Sequence, residues 1–383
     1  MTSYTRYSSG RRYQIGTLAT LGIFGVLVTA SAPASAKEHA TRNVVLVTLD
    51  GVRPQEFFTG MDATIAASEE DSGIDEIEVV RERYWRDTPE ARREALMPNF
   101  WKTLAPMGVV LGNAAKGSVV QVRNDQWFSY PGYSEILTGQ AQPEVRSNDI
   151  VRYPHVTVLQ YLRGALELRP AQVAQIGSWE GFEVAASSVD DAFFMNGAYD
   201  PVPPRLSTPE IDQLVGLRKQ VMELWEESSN DLLTTRIALA YVKKHKPRVL
   251  WLGLSQSDDW AHARRYDRLL DYLHLADQLL MDLWTTLQSI PQYRDRTTLI
   301  ITTDHGRGLT PKDWIDHDST VPGSGDIWIA VIGPDTADRG EAGPAETVHQ
   351  SDVAATIVAL LGLDWRAFNP NAGPPIADAF TAD

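Results

Sequence analysis

The sequence predicts an α/β protein: a central, mostly parallel sheet with helices on both faces. Three observations predict it. Short apolar runs recur along the chain, NVVLVTL at 43–49, PRVLWLGL at 247–254 and TTLIITT at 297–303, and none alternates apolar with polar residues. Continuous runs of that length suit strands buried on both faces. Between them lie helical patterns, the clearest at 266–290, where Leu269, Leu270, Leu273, Ala276, Leu280 and Leu283 recur at i, i+3/i+4 spacing. Strand and helix alternate, as in sheets built from crossover units. Finally, the strands end in, or run shortly into, acids and histidines, and open α/β sheets hold their active sites at the carboxyl ends of strands.

The elements follow in order. Residues 1–36 read as an export signal: Arg6, Arg11 and Arg12 are basic, residues 15–30 are apolar, and Ala34-Ser35-Ala36 suits cleavage before Lys37. Arg11-Arg12 allows twin-arginine export, and an uncleaved anchor is the alternative. Residues 37–383 then form a single catalytic domain, secreted or periplasmic. The strand at 43–49 ends in Asp50-Gly51. Charged, helix-forming sequence around 69–94 reads as a solvated insertion or lid. A short helix at 97–104, strands at 109–112 and 119–122, a loop-then-helix at 127–139, a helix at 156–168 and a strand at 173–177 come next. Residues 185–205 look irregular, and long helical patterns run through 210–244. After the strands and helix named above, a strand at 326–333 and a helix at 349–361 close the chain. The insertions, near 57–97 and 178–217, are where specificity would lie.

Composition narrows the function. The net charge of −15 argues against duplex nucleic acid as a partner. It leaves an anionic substrate open, since bound metal ions reverse the sign locally. With no cysteine there is no disulfide, no thiolate metal site and no cysteine nucleophile. The eleven tryptophans are scattered, as packing residues are.

Three strands lead to candidate ligands: Asp50, then Asp258 and His262, then Asp304 and His305; His349 precedes the last helix. Each alone reads equally well as a cap or surface group. Together, three aspartates and three histidines suit two metal ions. Mixed imidazole and carboxylate favours zinc over magnesium, with manganese as another divalent option. Paired metals about 4 Å apart clamp the attacking and leaving oxygens of an in-line displacement. That chemistry needs a hydroxyl nucleophile, and Ser129 is placed to be it, with Ser134 the nearby competitor. Trp127, Phe128, Tyr130 and Tyr133 flank it, either to stack on substrate or to pack the loop.

In that order these residues resemble the alkaline phosphatase superfamily, most closely its nucleotide pyrophosphatase/phosphodiesterase branch. Leu49-Asp50-Gly51-Val52-Arg53 is similar to an LDG-x-R strand end. Ser129-Tyr130-Pro131-Gly132 with Thr138-Gly139 is similar to the nucleophile stretch T-F-P-N…T-G, and Thr303-Asp304-His305-Gly306 to S/T-D-H-G. The resemblance spans residues 43–363 and implies a three-layer, alkaline-phosphatase-like sandwich. It implies one zinc on Asp258, His262 and His349, and a second on Asp50, Asp304, His305 and the Ser129 oxygen. Asn148 would bind a phosphoryl oxygen. Gly132 departs from the branch's asparagine, and Ala261 from a glycine. The glutamate of a third metal site would fall near Gly253, so that site is expected to be missing. The implied activity is hydrolysis of a small-molecule or lipid-derived phosphoester through a phosphoserine, diesters ahead of monoesters. A phosphomonoesterase, a sulfatase or a lipid head-group phosphotransferase on the same fold is the alternative. Tyr133 stands where a sulfatase motif needs arginine, and no cysteine is available for formylglycine. A non-catalytic binding protein is the remaining reading. Membrane contact and oligomeric state are not legible.

Overall fold

The strand at the centre of the sheet is β1 (Asn43–Leu49), and every residue in it is buried. Its side chains alternate between two cores: Val45, Val47 and Leu49 enter one, Val44 and Leu46 the other. That explains why the run is apolar without a break, since both faces are covered. This computed structural model describes residues 39–381 apart from 223, 344 and 345. They belong to one compact unit, Glu38–Asp383. The expected export signal lies outside the described residues.

The other strands are β2 (Gly108–Leu111), β3 (Val120–Gln121), β4 (Val173–Gly177), β5 (Phe194–Asn196), β6 (Val249–Leu254), β7 (Thr297–Thr302), β8 (Ile329–Ile332), β9 (Gly340–Glu341) and β10 (Val348–His349). Eight form one sheet in the order β5-β4-β6-β1-β7-β8-β2-β9, and β3 pairs with β10 apart from it. All pairings in the large sheet are parallel except those of β8, which runs against β7 and β2. The helices Asp231–His245 and Tyr266–Ser289 pack on one face. The helices Ser129–Thr138, Val158–Ala165 and Asp352–Leu360 pack on the other. This is the mostly parallel, three-layer α/β architecture expected. No helix among the described residues is long and apolar enough to cross a membrane.

Register places the site. Leu49 of β1 lies opposite Leu254 of β6, and Thr48 opposite Thr302 of β7. The three strands therefore end level with one another, and the residues after them meet at one edge.

Two expectations are corrected. The charged stretch around 69–94 is not a detached lid: in its helices Ile77–Tyr84 and Pro89–Leu96, Val80, Tyr84 and Leu96 join the core. Its arginines fold over apolar surface, Arg93 lying 3.7 Å over the Trp101 ring while it pairs with Glu341 at 3.0 Å. Many charges on a helix thus mask a narrow buried stripe. The 210–244 pattern is two helices, Pro209–Arg218 and Asp231–His245, and Trp225 to Ser229 run between them as loop. Asn230 stops the run by capping the second helix, accepting from the Leu233 N–H at 3.3 Å.

Candidate metal and nucleophile site

Asp50 leaves β1 buried. Its Oδ2 accepts from the Tyr133 hydroxyl at 2.8 Å, and its Oδ1 faces His305 Nε2 at 3.3 Å. The next residue, Gly51, has φ +60°, and a Cβ there would lie 2.8 Å from Arg307 Nε and 3.0 Å from Asp258 Oδ1. Only glycine turns the chain off the strand in that space. Its N–H donates to Asp304 Oδ1 at 3.0 Å, tying the ends of β1 and β7 together. His305 donates from Nδ1 to the Gly306 carbonyl at 2.8 Å, which turns Nε2 inward, 3.3 Å from Asp304 Oδ2.

Asp258 and His262 sit one turn apart on the helix Gln256–His262, with His262 Nε2 3.2 Å from Asp258 Oδ2. His262 Nε2 also lies 3.0 Å from Nε2 of His317, and His317 is 3.7 Å from Asp258 Oδ1. The donor atoms of Asp50, Asp304 and His305 fall within 4.8 Å of one another, and so do those of Asp258, His305 and His317. Three of these atoms, Asp50 Oδ1, Asp304 Oδ2 and His305 Nε2, are buried without a hydrogen-bond partner. Orphaned buried donors and acceptors that converge on one point suit metal ligation.

The electrostatics agree. Burial, then the charge of Asp50, pushes the Asp304 carboxyl up to about 7. Burial opposes protonation of His305, but Asp304 and Asp50 outweigh it and hold its pKa up at about 9. Burial, then the His305 charge, lowers both His262 and His317. Burial brings Arg307 down to about 9, and its Nη2 is in ion-pair contact with Asp258 Oδ1.

Ser129 opens the helix Ser129–Thr138, which is buried along its whole length. It shares a cavity of about 600 Å³ with Asp50, Asn148, Asp258 and His262. A helix N-terminus presents free N–H groups and positive potential to an anion. Asn148 Oδ1 accepts one of them, from Tyr130, at 2.9 Å, which leaves its Nδ2 as a donor. Gly132 explains its own departure from the expected asparagine: a Cβ there would lie 2.5 Å from the Asp304 carbonyl oxygen. Ser134 lines a different, small cavity with Tyr153 and Thr157. Tyr130 and Tyr133 are packed inside rather than presented to a ligand. A side chain at Gly253 would meet the Phe182 ring at 2.9 Å, so no glutamate fits there.

His349 is not brought to either ligand group. It lies in β10, where Arg123 Nη2 donates to its Nδ1 at 3.1 Å and its own N–H donates to Asp352 Oδ2 at 2.8 Å. His317 stands beside Asp258 and His262 where His349 was expected. The signal for it was Asp316-His317-Asp318 ahead of an apolar strand rather than ahead of a helix.

No protein-family model matches the chain, and no curated protein matches it by sequence. Solved structures match by shape. A phosphonate monoester hydrolase from Silicibacter pomeroyi aligns with a TM-score of 0.51 at 12% identity, over 87% of this chain and 78% of that one. A 2-O GAG sulfatase gives 0.51 at 13% identity, over 89% and 73%. A mutant of alkaline phosphatase PafA gives 0.50 at 11% identity, over 91% and 100%. The chain has the alkaline-phosphatase fold. At these identities the likeness concerns the fold alone and singles out no branch.

Proposed function

We propose that the protein is an exported, two-metal phosphoester hydrolase with Ser129 as nucleophile. The observation that carries this reading is the convergence of three orphaned ligand atoms beside a helix N-terminus that begins with a serine. Asp50, Asp304 and His305 would hold one divalent ion, and Asp258, His262 and His317 the other; the mixed donor set favours zinc. When bound, such ions lower the pKa of the attacking hydroxyl and neutralise the leaving oxygen. Ser129 Oγ forms a bond to phosphorus as the bond to the leaving alcohol breaks, and the alcohol leaves with a proton. Water then cleaves the phosphoserine and restores Ser129. The free N–H groups of the helix and Asn148 Nδ2 bind the non-bridging oxygens. The substrate is a small-molecule or lipid-derived phosphoester.

Diesters should be turned over faster than monoesters. A monoester carries a second charge, and Gly253, beside the Phe182 ring, offers no carboxylate for a third metal. Comparing kcat/KM for bis-p-nitrophenyl phosphate, p-nitrophenyl phosphate and p-nitrophenyl sulfate tests this. The diester should lead; a leading sulfate ester would replace the reading with a sulfatase.

Metal binding should also depend on pH in a defined direction. In the metal-free site Asp304 and His305 carry protons below about 7 and about 9 respectively. A metal takes the deprotonated ligands, so binding releases protons and affinity rises as pH climbs through that window. Calorimetric titration with zinc in buffers of different ionisation enthalpy would read the release. An affinity independent of pH between 6 and 9 would contradict it.

A further inference from the structure

Resting on that reading, we infer that the ester group the substrate retains on phosphorus carries an ammonium group, which the outer cavity receives. Beyond the candidate ligands, Ser129 and Asn148, the cavity is walled by Ile150, Trp179, Trp225, Glu180, Glu227 and Asp259. Among the described residues neither lysine nor arginine lines it. A cavity built for a nucleotide or a pyrophosphate would need cations for the added phosphate charge. Of Arg123, Arg146 and Arg152, the candidates nearest in sequence, Arg146 is exposed and interacts with Asp125, and the other two are tied elsewhere. Arg123 bonds His349 at 3.1 Å, and Arg152 bonds the Glu183 carbonyl at 3.0 Å and the Ser187 carbonyl at 2.8 Å.

The wall is fixed by backbone. Trp179 bridges to Ser228, Glu180 N–H donates to the Glu227 carbonyl at 3.2 Å, and Ser229 N–H donates to the Ser178 carbonyl at 2.7 Å. The loop between the two helices is thus docked on the end of β4. Trp179 is held edge-on against Phe182 at 5.5 Å. Trp225 keeps 43% of its surface exposed and Ile150 44%, an open apolar face on the cavity wall. The carboxylates of Glu180 and Glu227 are exposed and make no ion pair among the described residues. Tryptophan faces together with unpaired carboxylates are the surroundings that bind a quaternary or protonated ammonium. The same acids repel a second phosphate.

The test compares p-nitrophenyl phosphocholine with its uncharged carbon isostere, p-nitrophenyl 3,3-dimethylbutyl phosphate, and with bis-p-nitrophenyl phosphate. We expect kcat/KM for the ammonium ester to exceed that of the isostere by about tenfold, as one desolvated cation–aromatic contact supplies. In Trp225→Ala and in Glu227→Gln that ratio should fall towards one, and in wild type it should shrink with added salt. Both residues are exposed, so neither substitution threatens the fold. Turnover with a wild-type ratio of one or less, or a ratio that neither substitution moves, overturns the inference and leaves the hydrolase reading intact. No turnover of any of the three esters overturns both.

Discussion

Ser129→Ala is expected to lower turnover by about 10⁴-fold or more, the order reached when a nucleophile that works as a unit with its activating groups is removed. The protein should still fold and keep its metals. Ser129 contributes one oxygen, whereas the aspartates and histidines come from the ends of β1, β6 and β7 and from the β7–β8 loop, and these are set by sheet register. Steady-state rates with bis-p-nitrophenyl phosphate, read beside elemental analysis of the same sample, check both halves. Near-normal activity would hand the attack to water directly. Ser134 is a poor substitute, since it lines a separate cavity.

His317→Ala is expected to empty one of two metal positions, while His349→Ala is expected to leave both filled. His317 Nε2 lies 3.0 Å from His262 Nε2 and 3.7 Å from Asp258 Oδ1, so its loss removes a donor from a set of three. Affinity there should fall by more than the roughly 10–100-fold that loss of an outer-shell partner costs. Activity should follow by about 10³-fold, the equivalent of a few kcal/mol of lost Lewis acidity. His349 bonds Arg123 on the small β3–β10 ribbon, and removing it should cost little of either. Equal effects of the two substitutions would contradict this assignment.

The parts of the site that sequence reveals are those fixed by a strand. Asp50 and Asp304 each follow a continuous buried run, and the change from apolar residues to acid and glycine marks where the sheet ends. His317 escapes that logic. It lies in the irregular segment between β7 and β8, which has no hydrophobic period. It is folded back by bonds within that segment, among them Gly308 N–H to the Asp316 carbonyl at 3.1 Å and Gly306 N–H to the Ser324 carbonyl at 2.8 Å. His349 attracted attention because it precedes a helix, yet its backbone N–H is held locally by the Asp352 carboxylate at 2.8 Å. Likewise the Trp225 loop was hidden among the helical patterns read through 210–244, and only the Trp179–Ser228 bridge shows what the interruption does.

The central claim is that six protein side chains, His317 among them, hold two metal ions beside Ser129. Elemental analysis of wild type and His317→Ala, purified in excess zinc and dialysed together, tests it most directly. The account predicts two metal ions per chain in wild type and one in the variant. Fewer than one per chain in wild type, or equal content in the two proteins, would contradict it.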